Sequence, residues 1–313
     1  MPIEDTKKRL PWLDISKGIT IILMVAGHSA MPNELLRFVF AFHMPLFFIT
    51  SGITTKYSSF PNFLIKKTKG LLFPFIIYSV VVLILKAVLS NISINDVFVN
   101  WLKMGWLGIA LWFVPVLYLS LVVSWCINMI SNKWGYVIFT LSLLIIGEVL
   151  NYYSIWLPWN MATVPYATFF IIAGYWFKPY CSVIDCRHFK WYIYVVLFMV
   201  TFVISHFWRL DMAWNKCSPI IPLTIGALSG TALIFLVSKF IEAKSTLLTK
   251  VLSAIGRETF AIMAFSQIII GCLNNYITIP FYVKYILLFC IFVIIISLKN
   301  VGLRMLKPNA NNI

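Results

Sequence analysis

Ten apolar stretches follow one another along a chain of 313 residues, at about 15–31, 35–53, 70–90, 107–128, 134–150, 163–177, 191–207, 218–241, 256–274 and 281–298. Each is close to the roughly 20 residues that an α-helix needs to cross a bilayer. Backbone groups in lipid have no water to bond, so only helices or closed barrels can span it. The period-2 alternation of barrel strands is missing. The sequence therefore predicts an all-α fold, a polytopic membrane bundle of about ten transmembrane helices. Composition agrees: 61% of the residues are hydrophobic and 11% charged, against about 45–50% and 25% in a soluble domain. The expected organisation is a short N-terminal segment 1–14, a transmembrane domain 15–298 and a tail 299–313, with no appended soluble domain.

The formal charge of +15 has an explanation in topology. With the N-terminus inside, 19 Lys and Arg side chains fall on the inner loops and ends and 6 on the outer ones. That positive-inside bias predicts cytoplasmic termini, and no nucleic-acid partner is needed to account for the charge. The basic lead-in "KKRL" precedes an apolar stretch longer than a signal peptide's, without a small-x-small cleavage site, so the first span is expected to remain as a helix. Six cysteines in so long a chain do not form a disulfide framework. The Cys181, Cys186 and His188 cluster has no metal-ligand spacing, and no metal is expected.

Two spans carry histidine. In "LDISKGITIILMVAGHS", Asp14, Lys17, Ile21 and His28 recur at spacings of three and four and share one helix face. Asp14 and His28 are roughly 21 Å apart along the axis. They cannot bond each other; Asp14 and Lys17 are close enough to pair at the inner end. A polar stripe of this kind faces a bundle interior or a wet cavity, because ionisable groups in lipid are costly. In "FVFAFHMPLFFITSG", His43 lies deeper, and Pro45 deprives the Ala41 carbonyl of its helix partner, which favours a kink. His28 solvated at the interface and His43 bonded to a neighbouring carbonyl are the simplest structural readings.

These two segments together resemble the integral-membrane acyltransferase family 3, in its sugar O-acetylase branch. "KKTKGLLFPF", "LWFVPVLYL", "VPYATFFIIAGYWF" and "IGRETFAIMAFSQ" are similar to later family elements, so the resemblance covers nearly the whole chain. It implies transfer of an acyl group, usually acetyl from acetyl-CoA, to a hydroxyl of a glycan or lipid-linked glycan. It maps the family's catalytic histidine onto His28; His43, deeper on the kinked second span, is expected second as a pocket or relay residue. The family's basic pair falls on Lys66 and Lys69, where relatives often carry arginine. Arginine grips phosphate with a bidentate fork, whereas lysine acts as a point charge. Asp14 and Lys17 join them as the expected donor-binding residues. Ser266 stands where many relatives have histidine.

A sugar hydroxyl is a poor nucleophile near neutrality, and a neutral imidazole is suited to take its proton. An oxyanion then needs donors, among which lysine, a backbone amide, Ser29 and Ser51 remain open. So do direct transfer and an acyl-histidine intermediate. Glu148, Trp112 and Arg209, the last beside Asp211, are the expected acceptor contacts. Most outer-loop aromatics read as interfacial belt residues. The implied setting is a cell membrane, the bacterial inner membrane, with lipids and a glycan acceptor as partners and a homo-oligomer left open. The alternative class is a transporter or flippase for a polar lipid or glycan. It also needs polar faces and broken helices, but the sequence has no internal repeat.

Overall fold

The computed structural model describes residues 10–29, 31–90, 93–104, 110–181 and 190–276, with positions 283, 287 and 290. Among these residues the fold is helical, apart from one isolated bridge between Asp211 and Lys216. The helices are α1 (Pro11–Gly27), α2 (Asn33–Thr54), α3 (Phe60–Lys67), α4 (Phe73–Ser90), α5 (Ile94–Met104), α6 (Phe113–Asn128) and α7 (Lys133–Tyr152). They continue with α8 (Val164–Phe177), α9 (Trp191–Phe207), α10 (Ile220–Lys244), α11 (Thr246–Arg257) and α12 (Thr259–Tyr276). A π-helical turn, Thr68–Leu72, joins α3 to α4.

Nine of the ten expected spans fall on these helices; the tenth, 281–298, lies outside the described residues apart from its three isolated positions, as do residues 1–9 and the tail 299–313. Five helices are long and apolar enough to cross a membrane, or six if the pair α11 and α12, bent by 76°, is counted as one span. α1 and α9 have 17 residues and α8 has 14, and α8 is extended outward by the tight turn Pro158–Thr163. At 1.5 Å per residue, 14 residues cover only about 21 Å.

Local chemistry sets several boundaries. α1 begins with Pro11, whose fixed φ and missing N–H suit the first turn of a helix. Asn132 accepts from the Trp134 amide at 3.0 Å to cap α7, and Ser245 accepts from Leu248 at 3.2 Å to cap α11. Within α2 the chain continues through Pro45 without a break.

α2 lies at the centre of the bundle. Val39, Phe42, Leu46, Phe48 and Ile53 are each exposed by 2% or less. By contrast, α4 and α7 turn Ile76, Ile77, Ile84, Ile138, Phe139 and Ile145 outward, as lipid-facing helices do. Lipid tails are as apolar as these side chains, so packing between helices must come from close contact and not from excluded water. Two reciprocal glycine crossings supply it. A Cβ at Gly18 would fall on the Leu252 carbonyl oxygen of α11, and one at Gly256 on the Asp14 carbonyl oxygen of α1. Likewise, a Cβ at Gly52 would fall on the Ile171 oxygen of α8, and one at Gly174 on the Ile49 oxygen of α2. Backbone meets backbone at both crossings, which fixes α1 against α11 and α2 against α8.

Candidate active site

At one end of the bundle a cavity of about 310 Å³ is lined from α1, α2, the turn before α6, the α9–α10 loop and α12. His28, His43, Trp112 and Arg209, expected from four separate stretches of sequence, all line it. His28 is the residue that ends α1, and its position past the last turn lets the ring reach the cavity. Its Nε2 lies 3.1 Å from Nε2 of Gln267 on α12. An amide NH2 can only donate, so this contact places a lone pair on the imidazole nitrogen. The Gln267 Oε1 is buried and has no hydrogen-bond partner among the described residues. Rotating the amide by half a turn would let that oxygen accept from a protonated Nε2. Gln267 can thus hold the ring in either protonation state.

His43 is 4% exposed, and its Nδ1 lies 3.1 Å from the Val39 carbonyl. A carbonyl can only accept, so Nδ1 carries the proton and Nε2 of the neutral ring is left with its lone pair. Phe40 ties the polar groups together. Its ring centroid is 5.9 Å from that of His28, 4.7 Å from that of His43 and 5.6 Å from the Arg209 guanidinium carbon.

The α9–α10 loop forms a stiff wall. Asp211 and Lys216 exchange backbone hydrogen bonds of 2.9 Å each, and Asn160 Nδ2 and Thr163 Oγ1 both donate to the Met212 carbonyl, at 3.0 and 2.9 Å. Arg209 Nη2 is 3.2 Å from Asp211 Oδ2. Burial pushes the Asp211 carboxyl above its ordinary value, while Arg209 and the Trp214 amide oppose that shift. Glu148 lies elsewhere: its carboxylate accepts from Ser218 Oγ at 2.6 Å and from the Ile220 amide at 2.9 Å. It caps the positive end of α10, a structural role that carboxylates favour.

The expected donor-binding lysines are at the opposite end. Lys66 and Lys69 are exposed, whereas Lys67 between them is half-buried. Its ammonium donates to Thr55 Oγ1 at 3.2 Å and sits 5.4 Å over the Phe63 ring. Lys178 donates to the Thr55 carbonyl at 2.9 Å. Beside them is a second cavity of about 670 Å³, lined in part by Lys56, Tyr57, Trp125, Tyr175 and Lys178. Asp14 and Lys17 pair at 2.7 Å. The hydroxyls of Ser29 and Ser51 bond back to their own helices, and Ser266 is buried with no partner for its Oγ among the described residues. Of the cysteine cluster, Cys181 is buried on the Phe177 carbonyl and Cys186 and His188 lie outside the described residues.

Sequence reasoning missed Gln267 and Phe40, whereas Lys67 was expected with Lys66 and Lys69 as part of the basic run that holds the donor. Gln267 had one available signal, a second uncharged polar residue beside Ser266 in an apolar run. Phe40 had none.

An apolar helical bundle that gathers two histidines and an arginine–carboxylate pair into one cavity is a membrane protein built around a polar site. Residues 10–299 match the acyltransferase domain of the acyltransferase 3 family. The chain belongs to that family and is an acyltransferase. Neither the curated proteins nor the solved structures compared with the chain gave a match.

Proposed function

We propose that this protein is a sugar O-acetylase, moving an acetyl group from acetyl-CoA to a hydroxyl of a surface-polysaccharide sugar or its lipid-linked precursor. The observation that carries the reading is the convergence of His28 and His43, from consecutive helices, on one cavity with Trp112, Arg209 and Asp211. We place it in a bacterial inner membrane with about ten spans and both termini cytoplasmic, as the distribution of Lys and Arg supports.

In this mechanism the acceptor hydroxyl lies in the outer cavity and His28 is the base. The hydroxyl oxygen attacks the thioester carbonyl carbon as its proton passes to the imidazole. The carbon–sulfur bond then breaks, and the thiolate leaves with a proton returned by the imidazolium. The products are an ester and the free thiol. His43, its tautomer set by Val39, supports His28 as a relay. The donor's phosphates dock at the inner end, near Lys67 and Lys178, with Lys66 and Lys69 adding positive charge. From Thr55 to His43 is 12 positions along α2, roughly 18 Å, a length that an extended pantetheine arm can follow between helices. Asp14 and Lys17 satisfy each other and serve the fold of that end.

The test is transfer of labelled acetyl from acetyl-CoA to glycan acceptors by the purified protein in liposomes. Incorporation is the expected result. Its absence with acetyl and longer acyl donors over a broad acceptor set would overturn the reading. Family membership disfavours the transporter alternative. A second expectation concerns Gln267. Replacing it with leucine removes one hydrogen bond to the base, worth about 0.5–1.5 kcal/mol, or up to about tenfold in rate. Gln267→Leu should therefore lower kcat by up to about tenfold with little change in the donor KM; an unchanged kcat would show that His28 does not depend on it.

A further inference from the structure

We infer that the sugar ring accepted in the outer cavity is uncharged, and that the Arg209–Asp211 pair recognises its hydroxyls while rejecting rings that bear a carboxylate or phosphate. The inference rests on the acyl-transfer reading and names the acceptor class of that site.

The pair is rigid. The Asp211 side chain is 8% exposed and held by Arg209 at 3.2 Å, and backbone amides of Ala213 and Trp214 also reach it. Its own backbone is clamped to Lys216, and the neighbouring Met212 carbonyl is pinned by Asn160 and Thr163. The carboxylate therefore cannot swing aside for an incoming anion. The guanidinium, set against the Phe40 ring, already has its counter-charge. Among the described residues lining the cavity, the ionisable groups are His28, His43, Arg209 and Asp211. With both imidazoles neutral, as base chemistry requires, the charges of these lining groups cancel, and Lys216, outside the lining, acts on Asp211 from behind.

A hydroxyl matches this wall in both directions: it donates to the carboxylate and accepts from the remaining guanidinium N–H groups. An anionic substituent finds the cation engaged and a fixed like charge beside it, an arrangement that selects against it. The cavity, about 310 Å³, is at the small end of the roughly 300–1,000 Å³ typical of ligand sites, so a ring carrying an anion would lie close to Asp211.

The experiment measures acetyl transfer from acetyl-CoA by the protein in liposomes. The acceptors are methyl glycoside pairs that differ only by oxidation at C6, glucoside against glucuronide and galactoside against galacturonide. The unmodified protein should favour the neutral member by about 100-fold or more in kcat/KM, as expected for a like-charge clash. Asp211→Asn keeps an oxygen for the backbone amides and releases Arg209. It should narrow that preference by about tenfold, chiefly through faster transfer to the uronide. Arg209→Gln should slow the neutral acceptor and leave the uronide excluded. Equal use of both members by the unmodified protein overturns the inference and leaves the acyl-transfer reading standing. So does an unchanged ratio in a folded Asp211→Asn protein. Transfer to neither member of any pair, from acetyl and longer acyl donors and over the broad acceptor set, overturns the sugar O-acetylase reading, and the inference with it.

Discussion

His28→Ala should lower acetyl transfer by about two to four orders of magnitude, the usual contribution of a positioned general base. The residue ends α1, so removing its ring leaves the helix and both glycine crossings in place, and the protein should retain its fold. His28→Gln tests the role more sharply, because it keeps a polar side chain but supplies no basic nitrogen; it should be as inactive as the alanine variant. His43→Ala should cost less if His43 only relays, and it also leaves a void beside Phe40 in the buried centre of α2. Radiolabel transfer, with folding checked by gel filtration, decides the matter. Near-normal transfer by His28→Ala would remove His28 as the base; a larger loss for His43→Ala in a folded protein would move that role to the deeper ring, whose Nε2 already bears the lone pair.

Gly174→Val should strongly destabilise the folded protein. Its Cβ would coincide with the Ile49 carbonyl oxygen, and a backbone atom cannot rotate away as a side chain can. α2 and α8 would have to separate. Overpacking typically costs about 1–3 kcal/mol, and with backbone as the obstacle the cost should be at or above that upper figure, against a total stability of roughly 5–15 kcal/mol. Gly174 lies outside the residues lining the outer cavity, so lost activity would follow lost fold. Gly271→Ala is the control: among the described residues nothing lies within 4 Å of a Cβ built there, and in a helix interior alanine is favoured over glycine by about 1 kcal/mol. Thermal unfolding in detergent should separate the two by many degrees. Equal midpoints would show that the α2–α8 crossing is looser than its geometry implies.

The sequence carries the helices because apolar length is a local property, and it carries the pairing of His28 with His43 because a short turn brings consecutive spans together. Trp112 and Arg209 were singled out from separate segments and meet those histidines in one cavity. That the lysines lie at the other end of the bundle from the histidines was legible, but their direction was not. Lys67, not Lys66 or Lys69, turns inward at the junction of α3 with the π-helical turn, a departure from α geometry that residue spacing does not reveal. Glu148 looked like an acceptor contact because it is a lone acid near an outer helix end; its use as the cap of α10 depends on a helix 72 residues later in the chain. Gln267 meets His28 across 239 positions, and Phe40 works through three ring contacts. Such relations exist only after packing.

The crossing of α1 with α11 has a consequence for biogenesis. Chains are synthesised from their N-terminus, so the first helix waits for the 242 positions that separate Asp14 from Gly256 before the two can meet. α12, which brings Gln267 to His28, follows only one residue after α11. A ribosome that stalls in the middle of the message therefore releases an unfinished bundle whose cavity lacks a wall. The polar chamber is therefore closed late, after both of its histidines already lie in the membrane.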